Sequence, residues 1–238
     1  MSIHYQTIAL LPMKAHSSRV PGKNFRLFAG KPLFRWILDT LLEMDEIDRV
    51  VINTDARGIL AKYGCVDSER VMIRDRVPEL CGDEVSMNKV LADDIAAVES
   101  DMYIMTHTTN PLLSGNTIRR SIEAYRAAQP GKDSLFTVNR HQTRFYKEDA
   151  TPVNHDPDNL IPTQDLEPWY EENSNLYLFS RDSFAATNAR IGKAPLLFET
   201  PPLESADIDD QTNWHMAEVL ALSKMFVATT LDYENSQG

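Results

Sequence analysis

Disulfide chemistry has almost no material here. The 238 residues include two cysteines, Cys65 and Cys81, too few for a cystine framework and without zinc-ligand spacing, a usage that fits a reducing cytosol. Long apolar runs are missing as well: the run over 8–11 ends at Pro12 and follows no positively charged segment, so it is too short for a signal or membrane helix. It reads as a buried first strand. Glycine is scarce, nine residues in all, and none builds a GxGxxG or Walker A loop. Positive charge is in deficit, with a net charge of −11, which argues against the broad Lys/Arg surface that grips a nucleic-acid backbone. There is no internal repeat or low-complexity segment, and only 235–238 reads as a free tail.

One absence is local and points the other way. Residues 1–38 contain no Asp or Glu, yet Lys14, Arg19, Lys23, Arg26, Lys31 and Arg35 all fall there, and all 35 acids lie beyond. A basic stretch on an acidic chain suits a compact anion such as a nucleoside triphosphate, although a solvated basic face would show the same composition.

Short aliphatic runs alternate with segments of helical period, the pattern of an α/β domain with a mainly parallel sheet flanked by helices. Strands are predicted over 7–11, 49–53, 102–106, 134–138, 175–180 and 196–199. Leu33, Trp36, Ile37 and Leu41 follow helical spacing, as do Met87, Val90, Leu91, Ile95 and Val98 behind a capping Ser86. Further helices are predicted from Ser114 into Ala128 and over 213–224. One domain spanning 1–238 is expected. Residues 139–173, rich in Pro, Asn, His and Asp, read as an irregular extension that serves function or an interface.

The segment Lys14-Ala-His-Ser-Ser-Arg-Val-Pro-Gly-Lys-Asn24 directly follows the first strand. Ser17, Ser18 and Gly22 allow close backbone approach to a phosphate, and Lys14, Arg19 and Lys23 supply cations for its oxygens. This run, continuing to Ala29-Gly-Lys-Pro-Leu33, resembles the signature of the family of CMP-sialic acid synthetases and CMP-Kdo synthetases. Later segments recur in the family's order: Arg76 through Ser86, Thr109-Asn-Pro-Leu112, Asn173-Ser-Asn-Leu-Tyr177 and Asp207-Ile-Asp209.

The resemblance implies a Rossmann-like nucleotidyltransferase fold in which CTP lies against the first loop with the sugar opposite. It assigns Lys14, Arg19, Lys23, Asn24, Arg76 and Ser86 to the nucleotide. It gives Gln142, Arg144, Asn173, Asn175 and Tyr177 to the sugar, though Tyr177 also alternates with Asn175 and Phe179 as strand core would. Lys14 stands where the sialic-acid branch usually has Arg, keeping the charge without the planar fork. His107-Thr-Thr-Asn110 replaces the usual Gln or Asp before Pro111, a departure at one nucleotide or metal contact.

Asp207 and Asp209 flank Ile208, so in an extended segment both carboxylates share one side. Two hard oxygen ligands suit Mg²⁺ once phosphate oxygens complete the shell, and the family pattern likewise gives this pair the metal. Asp210 falls to capping the helix that follows. Catalytic roles are expected for Lys23 and for Asp209, the latter as base directly or through water. The expected reaction is transfer of CMP from CTP to the anomeric hydroxyl of a nonulosonic, sialic-acid-like 2-keto sugar, by a cytoplasmic homodimer with no nucleic-acid or membrane partner. Transfer to Kdo, use of another nucleotide, and a non-catalytic nucleotide-sugar binding protein are the alternatives.

Overall fold

The computed structural model describes residues 5–236, with side chains through 226. In chain order the elements are β1 (Tyr5–Leu10), β2 (Leu27–Phe28), β3 (Lys31–Pro32), α1 (Leu33–Leu42), β4 (Arg49–Thr54), α2 (Arg57–Lys62), β5 (Val71–Asp75) and α3 (Met87–Ala97). There follow β6 (Ser100–Thr106), α4 (Gly115–Ala128), β7 (Ser134–His141), β8 (Trp169–Phe179), α5 (Arg181–Thr187), β9 (Pro195–Glu199) and α6 (Gln211–Ser236).

Seven strands form one sheet in the order β5-β4-β1-β6-β8-β7-β9. Only β8 runs against the rest, antiparallel to both β6 and β7. The parallel strands are apolar on both faces, as strands covered by helices on either side must be; in β4 every residue after Arg49 is buried. On one side Ala9, Ile52, Ile104 and Leu178 pack with Phe34, Ile37, Leu41 and Ile118 from α1 and α4. On the other, Ile8, Leu10, Tyr103, Tyr177 and Phe179 pack with Leu91, Ile95 and Phe184 from α3 and α5. Truncating one such core leucine or isoleucine to alanine costs about 2–5 kcal/mol. A third cluster joins Val20, Phe28 and Leu33 to Ile208, Trp214 and Ala217, and so fixes the first loop against the start of α6.

The topology decides where a ligand can sit. From β1 the chain moves outward through β4 to β5, then crosses back to β6 on the opposite flank of β1. The loops leaving β1 and β6 therefore diverge, opening a crevice at the carboxyl ends of the strands, the place where open α/β sheets bind ligands.

Several expectations change. The stretch over 139–173 is not irregular at its ends: β7 and β8 continue into it as a paired arm, with Asn139 opposite Glu171 and His141 opposite Trp169. Strand β5 carries too short an apolar core, Val71 and Ile73 between charged neighbours, to have stood out. Ser86 occupies the N-cap position of α3, but its side chain caps nothing. Helix α6 extends past Lys224 to Ser236, so Asn235 and Ser236 are helical and only 237–238 of the expected tail lie outside the described residues.

Candidate active site

A cleft of about 340 Å³ occupies the crevice, lined by Lys14, Ser17, Arg19, Lys23, Arg76 and His107 among others. Its size falls within the roughly 300–1,000 Å³ of small-molecule sites. Only half of the basic residues of 1–38 face it. Arg26 stacks on Trp214, Lys31 pairs with Asp39, and Arg35 donates to the Tyr63 carbonyl, so these three hold the fold. Lys14, Arg19 and Lys23 line the cleft.

The loop is shaped locally. Gly22 takes a left-handed φ of 63° ahead of a single 3₁₀ turn over Lys23–Phe25, a conformation that a side chain would strain. Asn24, buried beside it, donates to the Lys14 carbonyl at 2.8 Å and accepts from Thr108 Oγ1 at 2.6 Å. It thereby ties both ends of the loop to the segment after β6. Lys23 is 9% exposed and donates from Nζ to the Ile208 carbonyl at 2.7 Å. Burial pulls its ammonium below the usual lysine range, and the nearby Asp207 and Asp209 carboxylates oppose that pull. Ile208 itself is anchored through its N–H to the Thr109 carbonyl.

The acidic pair thus meets the basic loop. Arg19 forms an ion pair with Asp209 at 2.8 Å. Asp207 Oδ1 is buried with no hydrogen-bond partner among the described residues, and burial, opposed by a bond from Thr109, raises its carboxyl above the usual range. An orphaned buried carboxylate oxygen is costly, and a hard divalent cation would satisfy it, so these residues fit such an ion. No group of three or more His, Cys, Asp or Glu suited to a metal occurs among the described residues. The remaining ligands would have to come from substrate and water. Asp210 caps α6 by accepting from the Asn213 N–H at 2.8 Å, as its position predicts.

Lys14 reaches across the mouth to pair with Asp83, whose carboxyl is held below its usual range by that contact. Arg76 is buried; it donates from Nε to the Asn53 side-chain oxygen and from Nη2 to the Asn53 carbonyl, both at 2.8 Å. Ser86 lines an adjoining cavity with Asn88, Glu172 and Arg190 rather than this cleft. His107 lines the cleft, half-buried, near Lys23 and Arg190, and loss of solvent around it pushes its pKa down to about 3. It is therefore a neutral imidazole at physiological pH and a poor base.

The residues expected on the sugar side are less gathered. Asn175 is fully buried, accepting from Asn110 at 2.6 Å and donating to the Glu204 carbonyl. Asn173 donates to Asn139 and Thr200. Tyr177 is core by its ring, but its hydroxyl accepts from Arg190 at 3.0 Å and contacts Glu172, and burial pushes its pKa up to about 12. Gln142 and Arg144 sit in the arm and bond backbone carbonyls there, outside the cleft. The sequence reading missed Asn53, Thr108 and Arg190. Asn53 ends a legible strand at the carboxyl edge of the sheet, which was the available signal; Arg190 had none.

A family profile described as cytidylyltransferase matches residues 8–232. An N-acylneuraminate cytidylyltransferase from Oncorhynchus mykiss is 27% identical over 221 residues, covering 88% of this chain and 49% of its own. A CMP-N,N'-diacetyllegionaminic acid synthase from Legionella pneumophila is 25% identical over 232 residues, covering 90% and 95%. This chain thus spans about half the fish enzyme but nearly all of the bacterial one. A solved structure of CMP:2-keto-3-deoxy-manno-octonic acid synthetase complexed with CTP superposes with a TM-score of 0.65 at 15% identity, covering 92% and 99%. That likeness is one of fold. The basic loop at the switch point, the acid pair facing it and the profile spanning nearly the whole chain agree: this protein belongs to the cytidylyltransferase family.

Proposed function

We propose that this protein transfers a cytidylyl group from CTP to the anomeric hydroxyl of a nonulosonic 2-keto sugar acid, releasing pyrophosphate. The observation that carries the reading is the junction at Ile208, where buried Lys23 bonds the carbonyl between two aspartates. A triphosphate needs cations and a metal needs carboxylates, and here both converge on one point of a cleft of suitable size. The relatives named for N-acylneuraminate and for N,N'-diacetyllegionaminic acid support the sugar class.

In this reading Lys14, Arg19 and Lys23 neutralise the triphosphate, and Arg76 holds the nucleotide in the cleft. Ser86 approaches it from the adjoining cavity, and Asn24 acts by fixing the loop. Asp207 and Asp209 hold Mg²⁺ or a similar hard cation, which when bound stabilises negative charge on the phosphate oxygens. Arg19 must leave Asp209 for this, a change within reach of an exposed pair. The Asp209 carboxylate accepts the proton of the anomeric hydroxyl, directly or through water, as that oxygen attacks the α-phosphorus and pyrophosphate departs. Asn173, Asn175 and Tyr177 shape the sugar side from behind.

Gln142 and Arg144 reach a sugar only across a homodimer, in which the β7–β8 arm contributes to the partner's site. Exposed Leu160, Ile161, Trp169 and Tyr170 on and beside the arm favour such burial. A cytoplasmic setting accords with two free thiols, one of them exposed Cys81. No helix among the described residues is long and apolar enough to cross a membrane. The test is pyrophosphate release across a panel of 2-keto sugar acids, with CTP and then other nucleotides, in Mg²⁺ and in chelator. Metal-dependent release with CTP and one nonulosonic acid is expected; no release with any member sinks the proposal.

A further inference from the structure

Behind the cleft lies a buried polar network that the proposed reaction does not use. Asn53, at the end of β4, is fully buried, as is Asp94 of α3. The Asn53 amide nitrogen donates to Asp94 Oδ1 at 2.8 Å and to Asp93 at 3.3 Å. Its oxygen faces the other way and accepts from Arg76 Nε. Arg74 of β5 in turn binds Asp94 and pairs with Asp93 at 3.0 Å. Three elements of the fold, β4, β5 and α3, meet here, and one product of their meeting is the orientation of a single arginine in the cleft wall.

We infer that Asn53 and Asp94 are positioning residues for the nucleotide site: Asn53 aims the Arg76 guanidinium, and Asp94 decides which end of the Asn53 amide faces it. The inference rests on reading the cleft as the nucleotide site. An amide has two ends of nearly equal size and opposite hydrogen-bonding character. With the amide reversed, its oxygen would oppose the Asp94 carboxylate and its NH₂ would oppose the Arg76 guanidinium, two repulsive contacts in place of two bonds. Burial pushes the Asp94 carboxyl up to about 6, so above that pH it is an acceptor only and demands a donor from Asn53. Arg74, Asp93 and Asn53 are the charged and polar groups that face it. Held at Nε and Nη2, Arg76 keeps its remaining N–H donors for a ligand. A guanidinium fixed in advance loses less freedom on binding than a mobile one.

A double-mutant cycle tests this by calorimetric titration of CTP into the full chain, with no sugar present. Asn53→Ala is expected to weaken CTP binding about tenfold, the scale of one hydrogen bond to a charged group, and Arg76→Ala by at least as much. In the Arg76→Ala background, Asn53→Ala should add nothing, because its effect passes through Arg76. Asp94→Asn, whose side chain can present either end to Asn53, should show a smaller loss that also vanishes in that background. If Asn53→Ala does not fold, the cycle is run with Asn53→Ser. An unchanged Kd in the Asn53 variant, or losses that multiply in the double variant, overturns the inference. Wild-type protein that fails to bind CTP overturns the reading of the cleft, and this inference with it.

Discussion

Replacing Lys23 by methionine should separate binding from folding. In the folded chain burial holds the Lys23 ammonium below its ordinary value of 10.5 despite two nearby carboxylates. The native state thus binds this proton less tightly than the unfolded chain does. That penalty is present below the folded pKa and disappears as the pH rises toward 10.5, so at pH 7 it is in force. Lys23→Met removes it, while leaving the Ile208 carbonyl without its donor, a loss of about 1–3 kcal/mol. The two effects oppose each other, and the net change should stay within about 1 kcal/mol, or about 4 °C in Tm for a chain of this length. Binding has no such compensation. One charge-assisted bond to phosphate is worth about 1.5–3 kcal/mol, which is roughly a 10- to 150-fold rise in the Kd for CTP. Thermal denaturation at pH 7 and calorimetric titration with CTP read the two quantities on the same samples. A variant that melts far below wild type, or that binds CTP as wild type does, would refute the reasoning.

Two further substitutions probe the same junction. Asp207 has its carboxyl raised by burial, so its ionised form destabilises the fold as the pH rises past the ordinary carboxyl value of 3.8 through the folded value. Asp207→Asn should therefore melt no lower than wild type at pH 7 yet lose Mg²⁺-stimulated pyrophosphate release; a less stable variant that still responds to Mg²⁺ would count against the metal role. Thr108→Val keeps the shape but takes the donor from buried Asn24, and urea unfolding should show a loss of about 1–3 kcal/mol, with weaker CTP binding because the loop is no longer tied. Unaltered unfolding and binding would show that the bond does not hold the loop.

What the sequence made legible follows burial. The strands over 49–53 and 102–106 stood out because both their faces are covered, leaving the unbroken apolar runs 50–52 and 102–105. The arm did not, because Trp169 through Glu172 are exposed and its pairing uses backbone bonds that leave no apolar pattern. The basic stretch over 1–38 was readable from a local absence of acid, yet half of its cations turned out to brace the fold around α1 and α6, a division that only packing decides. Asp207 and Asp209 were visible as a pair with capping Asp210 behind them. Asn53, Asp94 and Arg76 lie far apart in the chain and meet only through sheet order. No spacing rule could have joined them.

The central claim is transfer of a cytidylyl group to a nonulosonic sugar, and the most direct measurement follows the label. Protein incubated with CTP labelled at the α-phosphate, Mg²⁺ and a nonulosonic acid should yield a labelled CMP-sugar in equal amount to pyrophosphate, and none in chelator. Label that stays in CTP with every such acid, or that appears only as free CMP, would contradict the account.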